Sequence, residues 1–209
     1  MTTCRLCHHD ALPFVHVDGI AYFACPSCGL RFMDAAHLPT PDREKNHYDS
    51  HENHIDDDGY RAFLSRLAGP LMATLSRPST ILDFGAGPGP ALAAMMAEHG
   101  HEVSIYDPFY HDDRTVLERT YDVVTATEVI EHFHDPRAMF DHLHHLVNDG
   151  GVLAVMTMVQ DDDAAFAAWH YRRDPTHVAF YRLETFEWIA AHYGYTLITP
   201  HKNVAFFQK

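Results

Sequence analysis

The stretch that most constrains this chain is Thr80-Ile81-Leu82-Asp83-Phe84-Gly85-Ala86-Gly87-Pro88-Gly89-Pro90. A short β-branched and apolar run ends in an acid, three glycines follow at alternate positions, and an Ala/Met-rich segment begins after Pro90. That order predicts a strand, a tight turn and a helix, the first unit of a doubly wound α/β sheet. Glycines at alternate positions let the backbone approach a ligand closely and leave N–H groups free at a helix N-terminus. An acid at the strand end repels phosphate and attracts a cation such as an ammonium or a sulfonium. A dinucleotide fingerprint reads G-x-G-x-x-G, and here Pro90 stands where the third glycine belongs.

All four cysteines sit in two knuckles, Cys4-x-x-Cys7 and Cys25-x-x-Cys28, seventeen residues apart. Each knuckle sets two thiolates on one turn, and two such turns form a tetrahedral S₄ cage that suits zinc. Between them, Phe14 to Phe23 alternates like a hairpin turning at Asp18-Gly19. The pattern is a zinc ribbon over residues 1–37. Two disulfides or a redox pair are the alternatives, disfavoured in the cytoplasm. Residues 1–36 carry only Arg5 and Arg31 as fixed positive charges, so the ribbon reads as a structural or substrate-capping module rather than a grip on RNA.

Residues 38–78 read as a linker and an entry helix. Leu38-Pro39-Thr40-Pro41 breaks the chain, and the polar run from His47 to Tyr60 reads as a loop. It is either solvated or a flap that brings Tyr48 and Tyr60 over a ligand, with a metal set of His51, His54 and nearby aspartates as a minor possibility. Apolar residues recur at helical spacing from Tyr60 to Leu75. Residues 79–209 form the main domain. After the glycine turn, Glu102 to Tyr106 is a second strand that ends in Asp107, twenty residues after Gly87. A carboxylate there can accept ribose hydroxyls; the bland reading is an Asp-Pro turn. Tyr121 to Ala126 is another strand, running into Thr127-Glu128-Val129-Ile130-Glu131-His132. A helix from Pro136 then leads through Asp149-Gly150-Gly151 into a strand from Val152.

The run D-x-G-x-G-x-G, the acid at the next strand end and E-x-I-E-H after Y-D-V-V-T together resemble the class I S-adenosylmethionine-dependent methyltransferases of small-molecule type. The resemblance spans residues 80–157. It implies a Rossmann-like sheet, S-adenosylmethionine as cofactor, and cofactor contacts from Asp83, Gly85, Ala86, Gly87, Gly89, Asp107, Pro108, Thr127 and Glu128, with Tyr60 from the flap. One departure concerns the thirteen residues between Asp107 and Tyr121, too few for a full helix and strand, so a third strand is short or missing.

The segment from Asp161 to Tyr181 crowds aspartates, aromatics, His170, Arg172, Arg173 and His177. In the family, a pattern similar to H-x-x-F-Y in this region faces the substrate, which implicates His177, Phe180 and Tyr181. His170, His177 and His132 are candidate proton acceptors, since an imidazole titrates near neutrality, and Tyr181 joins them as a catalytic candidate. Each histidine has a structural alternative. Arg172 and Arg173 read as surface charges or as a clamp for a substrate carboxylate; His142, His144 and His145 read as solvated.

The expected activity is methyl transfer from S-adenosylmethionine to a small-molecule O- or C-acceptor, with zinc at Cys4, Cys7, Cys25 and Cys28. The net charge of −14 argues against a surface that grips phosphate backbones. An RNA base methyltransferase would want a basic face and an N/D-P-P-Y segment, where Thr125-Ala126-Thr127-Glu128 stands instead. A nicotinamide oxidoreductase is disfavoured by Pro90 and Asp83; a non-catalytic S-adenosylmethionine-binding protein stays open. No apolar run reaches a membrane span and no signal peptide is evident, so a cytoplasmic location is expected. The sequence leaves the oligomeric state open.

Overall fold

A computed structural model describes residues 2–50 and 54–209. The metal set that included His51 therefore lies outside the described residues. The main sheet has six strands: β5 (Thr80–Phe84), β6 (Glu102–Tyr106), β7 (Tyr121–Thr127), β8 (Val147–Met156), β10 (Thr196–His201) and β11 (Val204–Gln208). Their spatial order is β10-β11-β8-β7-β5-β6. Strands β6, β5, β7 and β8 run parallel, and β11 and β10 close the sheet antiparallel. Successive strand residues serve opposite faces, as a period of two demands. Ile81, Val123 and Phe206 pack with α2 (Asp58–Thr74) and α3 (Ala91–Glu98), through Leu64, Leu67, Leu71, Leu92 and Met96. Leu82, Val124 and Phe207 pack on the other face with α4 (Pro136–Leu146) and α5 (Leu183–Tyr193), through Phe140, Leu143, Phe186 and Ile189. The sheet is doubly wound, as expected. Between Asp107 and Tyr121 the described chain makes a 3₁₀ turn at Arg114–Glu118 and no strand, so the third strand is missing. No described helix is long and apolar enough to cross a membrane.

The hairpin of the amino-terminal unit is β2 (Asp10–Val17) with β3 (Ile20–Ala24), turning where Asp18 and Gly19 both take positive φ, the conformation a two-residue hairpin favours. This unit is not an appendage. Its sheet runs β1 (Thr2–Thr3), β2, β3, β4 (Arg31–Met33) and then β9 (Ala179–Phe180), a strand from the far end of the chain. Arg5 clasps the seam: its guanidinium donates to the carbonyls of His134, Met33 and Val178 at 2.8–3.0 Å. Arg31 pairs with Asp163. Both fixed positive charges of the ribbon are thus spent inside the protein. Arg172, read from sequence as a surface charge or carboxylate clamp, is 6% exposed and bonds Asp18 at the hairpin turn; a buried guanidinium needs a fixed partner. The linker is also more ordered than its composition suggested, since Thr40 caps α1 (Pro41–Tyr48) with its hydroxyl.

Candidate functional site

The parallel strands reverse their order of winding beside β5, and the carboxyl ends of β5, β6 and β7 open there into a cavity of about 960 Å³. A switch point of this kind is where open α/β sheets bind ligands. Gly85, Ala86, Gly87 and Pro88 form one wall. Gly85 takes φ +77°, and a Cβ on it would overlap the Val129 side chain; only glycine fits there. Three of the loop's N–H groups are already spent, contrary to expectation. Gly85 and Ala86 both donate to the Tyr106 carbonyl, at 2.8 and 3.1 Å, and Gly87 donates to Asp107 Oδ2 at 3.0 Å. A loop that spends its donors on the neighbouring strand end is a poor phosphate cradle. It suits a ligand that brings hydroxyls and a positive centre.

Asp107 is 7% exposed and lines the cavity. Its Oδ1 accepts from the N–H groups of Phe109 and Tyr110, and its Oδ2 from Gly87. The Asp-Pro turn reading is therefore correct as far as it goes. A carboxylate has about four acceptor positions, and one on Oδ2 is left unfilled. Thr127 Oγ1 is buried in the cavity lining with no partner among the described residues, a second polar atom that a bound group would satisfy. Tyr60 and Pro108 line the cavity, as does Glu128. Asp83 and Gly89 do not. Asp83 is buried beneath the loop, where Thr125 Oγ1 donates to it at 2.8 Å. Burial pushes its carboxyl up to about 6, and from beneath the loop it braces the strand ends.

The opposite wall holds His132, His177, Asp174, Glu128 and the Tyr48 ring. His132 Nδ1 donates to the Thr176 carbonyl at 3.0 Å, and His177 Nδ1 to the Tyr171 carbonyl at 2.7 Å. A carbonyl only accepts, so each neutral ring carries its proton on Nδ1 and leaves Nε2 bare. Burial drives His132 down to about 3. Behind them, the Tyr171 hydroxyl bonds both Glu128 and Glu131. Burial pushes both carboxyls up to about 7, and Glu128 raises Glu131 further. Two other candidates lie elsewhere. His170 is exposed at the surface, outside the cavity lining, and Tyr181 is fully buried with its hydroxyl on the Ile130 carbonyl. Trp169 and Phe180 pack against ribbon residues Tyr22 and Met33. Sequence reasoning missed His142, which lines the cavity edge-on to Phe84, and His144, which bonds the Tyr195 hydroxyl; neither is simply solvated. It missed Asp174 as well, for which a polar residue before Pro175 is no signal.

The four cysteine sulfurs are buried and lie within 4.8 Å of one another. Cys4–Cys28 is 3.6 Å and Cys7–Cys25 is 3.3 Å. Bonds of about 2.3 Å to a tetrahedral zinc separate sulfurs by about 3.8 Å. The hydrogen bond with Cys4 and burial push the Cys28 thiol up, a cost that a cation at the centre removes. The cluster fits zinc.

A profile described as a methyltransferase domain matches residues 52–199. The chain belongs to the methyltransferase domain family. Its fold is the class I methyltransferase fold. Solved structures agree on the fold. The methyltransferase is similar to the 1,6-didemethyltoxoflavin-N1-methyltransferase of Burkholderia thailandensis, which was solved with S-adenosylhomocysteine; identity is 16%, coverage 94% of this chain and 98% of that one, and the TM-score 0.55. It is similar to the magnesium protoporphyrin IX methyltransferase of Synechocystis PCC 6803 at 16% identity, covering 79% and 91%, with a TM-score of 0.52. It spans 59% of the length of an O-methyltransferase family protein from Burkholderia thailandensis, over 73% of this chain at 20% identity and a TM-score of 0.48. No curated protein matches the sequence.

Proposed function

We propose that this methyltransferase acts on a small-molecule O- or C-acceptor, with S-adenosylmethionine in the glycine-loop half of the cavity and the acceptor against the His132–His177 wall. The observation that carries the reading is that one cavity joins the loop, Asp107 and Thr127 to two histidines with bare Nε2 atoms. Bound there, S-adenosylmethionine supplies an electrophilic methyl group on a good leaving group. The open Oδ2 position of Asp107 accepts a ribose hydroxyl, Thr127 Oγ1 bonds the nucleoside, and Tyr60, Tyr48 and Phe109 keep water out. His177 accepts a proton where the acceptor must lose one, which contributes about 10²–10⁴ in rate, while His132, driven down to about 3, helps to orient the acceptor. Positioning contributes more, since oriented reactants reach effective molarities on the order of 10⁵–10⁸ M.

A cavity of about 960 Å³ suits a cofactor with a small partner. The net charge of −14 and the internal use of Arg5 and Arg31 weigh against RNA. Two of the solved relatives act, by their names, on 1,6-didemethyltoxoflavin and on magnesium protoporphyrin IX. Zinc held by Cys4, Cys7, Cys25 and Cys28 belongs to the same proposal, as a support for β9, the strand just after His177. Reduced thiols in that cage accord with a cytoplasmic location. The test is calorimetry with S-adenosylhomocysteine, followed by transfer of labelled methyl groups to fractions of a metabolite extract. Saturable binding and label in a small organic product are expected. Tight NADH binding without S-adenosylhomocysteine binding would refute the reading, and binding without transfer to any fraction would leave a cofactor-binding protein that is no enzyme.

A further inference from the structure

At the acceptor wall, three polar side chains converge with no hydrogen bond between any two of them among the described residues. Glu131 is fully buried on the 3₁₀ turn Ile130–His132. One of its oxygens receives the Tyr171 hydroxyl, and Oε2 has no partner among the described residues. Leaving a buried carboxylate oxygen unpaired is unfavourable. His132 and His177 turn their Nδ1–H groups outward to the carbonyls of Thr176 and Tyr171, which is how metal-ligating histidines are held in the right tautomer. His132 Nε2 lies 4.0 Å from Glu131 Oε1. A carboxylate oxygen of Glu131 and a ring nitrogen of each histidine all lie within 4.8 Å of one another. Asp174 Oδ2, at 3.8 Å from His177 Nε2, is beyond hydrogen-bond range.

We propose that Glu131, His132 and His177 hold a divalent transition-metal ion in the cavity wall, separate from the four-thiolate cage, with open positions that take an oxygen of the methyl acceptor. Two imidazoles and one carboxylate favour manganese, iron, cobalt or zinc over magnesium or calcium. Bonds of about 2.1 Å set such ligand atoms about 3.0–4.2 Å apart, so side-chain shifts of about an ångström close the site. Both histidines line the cavity, which leaves the ion's remaining positions facing the acceptor. Glu128 backs the site with a second carboxylate that shares the Tyr171 hydroxyl. It does so from a φ of +54°, a conformation that a non-glycine residue adopts at a cost. An ion there takes up both Nε2 atoms, so the acceptor's proton goes to solvent rather than to His177. The ion selects acceptors that offer an ionisable oxygen, such as a phenol, an enol or a hydroxy acid. That substrate class rests on the function proposed above; the ion's binding does not.

The test is titration of the full-length protein, zinc retained in its thiolate cage, with Mn²⁺, read by loss of the free-ion EPR signal and alongside total zinc analysis. Saturable uptake of one Mn²⁺ per chain, or a second zinc ion already present, is expected. Glu131→Gln and His177→Asn should each weaken Mn²⁺ binding at least tenfold or lose the second zinc, with thermal melts confirming that they fold. Tyr171→Phe keeps all three ligands and should still bind. One zinc per chain with no Mn²⁺ uptake, or equal Mn²⁺ affinity in both ligand variants, would overturn the proposal. S-adenosylhomocysteine binding is measured separately, so its loss with Mn²⁺ uptake intact counts against the cofactor reading alone.

Discussion

Gly85 and Gly87 sit two residues apart in the same loop, both at positive φ (+77° and +64°), yet alanine should affect them differently. At either position a side chain forces a left-handed backbone, which costs roughly 1–2 kcal/mol. At Gly87 the added Cβ meets nothing within 4 Å; at Gly85 it overlaps Val129. Val129 packs against the main core cluster, so it cannot retreat freely, and overpacking adds roughly 1–3 kcal/mol. Gly87→Ala should therefore lose about 1–2 kcal/mol and Gly85→Ala about 2–5 kcal/mol. For a domain of this size, each kcal/mol lowers Tm by about 2–4 °C. The empty space over Gly87 lies in the cavity lining. If it belongs to the cofactor, a methyl group there costs about 1–3 kcal/mol of affinity, or about 5–150-fold in Kd for S-adenosylhomocysteine. Thermal melts and calorimetry on the two variants provide the check. An unchanged Kd in Gly87→Ala, or equal Tm losses, would refute this account of the loop.

Asp83 gives a pH prediction. Its carboxyl titrates near 6 in the folded protein against an ordinary 3.8, so between those values the folded state holds the extra proton and stability falls as pH rises. The rise corresponds to about 3 kcal/mol. Asp83→Asn should therefore gain about 2–3 kcal/mol on wild type between pH 4 and pH 7 in urea unfolding; a gap that does not vary with pH would count against a buried carboxyl. Zinc removal should reach the cavity. Strand β4 pairs with β9 through Arg31–Phe180 and Phe32–Ala179, and structural zinc sites contribute on the order of 10 kcal/mol to folding. Chelation should then abolish hydrogen-exchange protection at Ala179 and Phe180, and protection that survived would mean the ribbon folds without its ion.

Much of the architecture was legible because its signals are local. The β-branched runs, the glycine turn, the acids that end β5 and β6 and the thirteen-residue gap before Tyr121 all announce themselves within a few residues, since the backbone conformation at a turn depends on its own side chains. The paired Cys-x-x-Cys knuckles are equally local. Asp107 illustrates the limit. Its position was readable, but not that three of its acceptor positions are already filled by backbone N–H groups. The exposure of His170, the burial of Tyr181 and the inward turn of His142 follow from which faces pack, which no short pattern records.

By itself, the sequence determined a doubly wound domain with a nucleoside-type loop and a four-thiolate ribbon, because strand, turn and knuckle are specified by neighbours in the chain. Only the tertiary structure decided that the ribbon continues into β9 and that Arg5, Arg31 and Arg172 bind inward. It also decided that Glu131, His132 and His177 meet across more than forty residues of sequence. Those contacts form where buried polar groups must find partners, and which partners are near is set by how the layers pack.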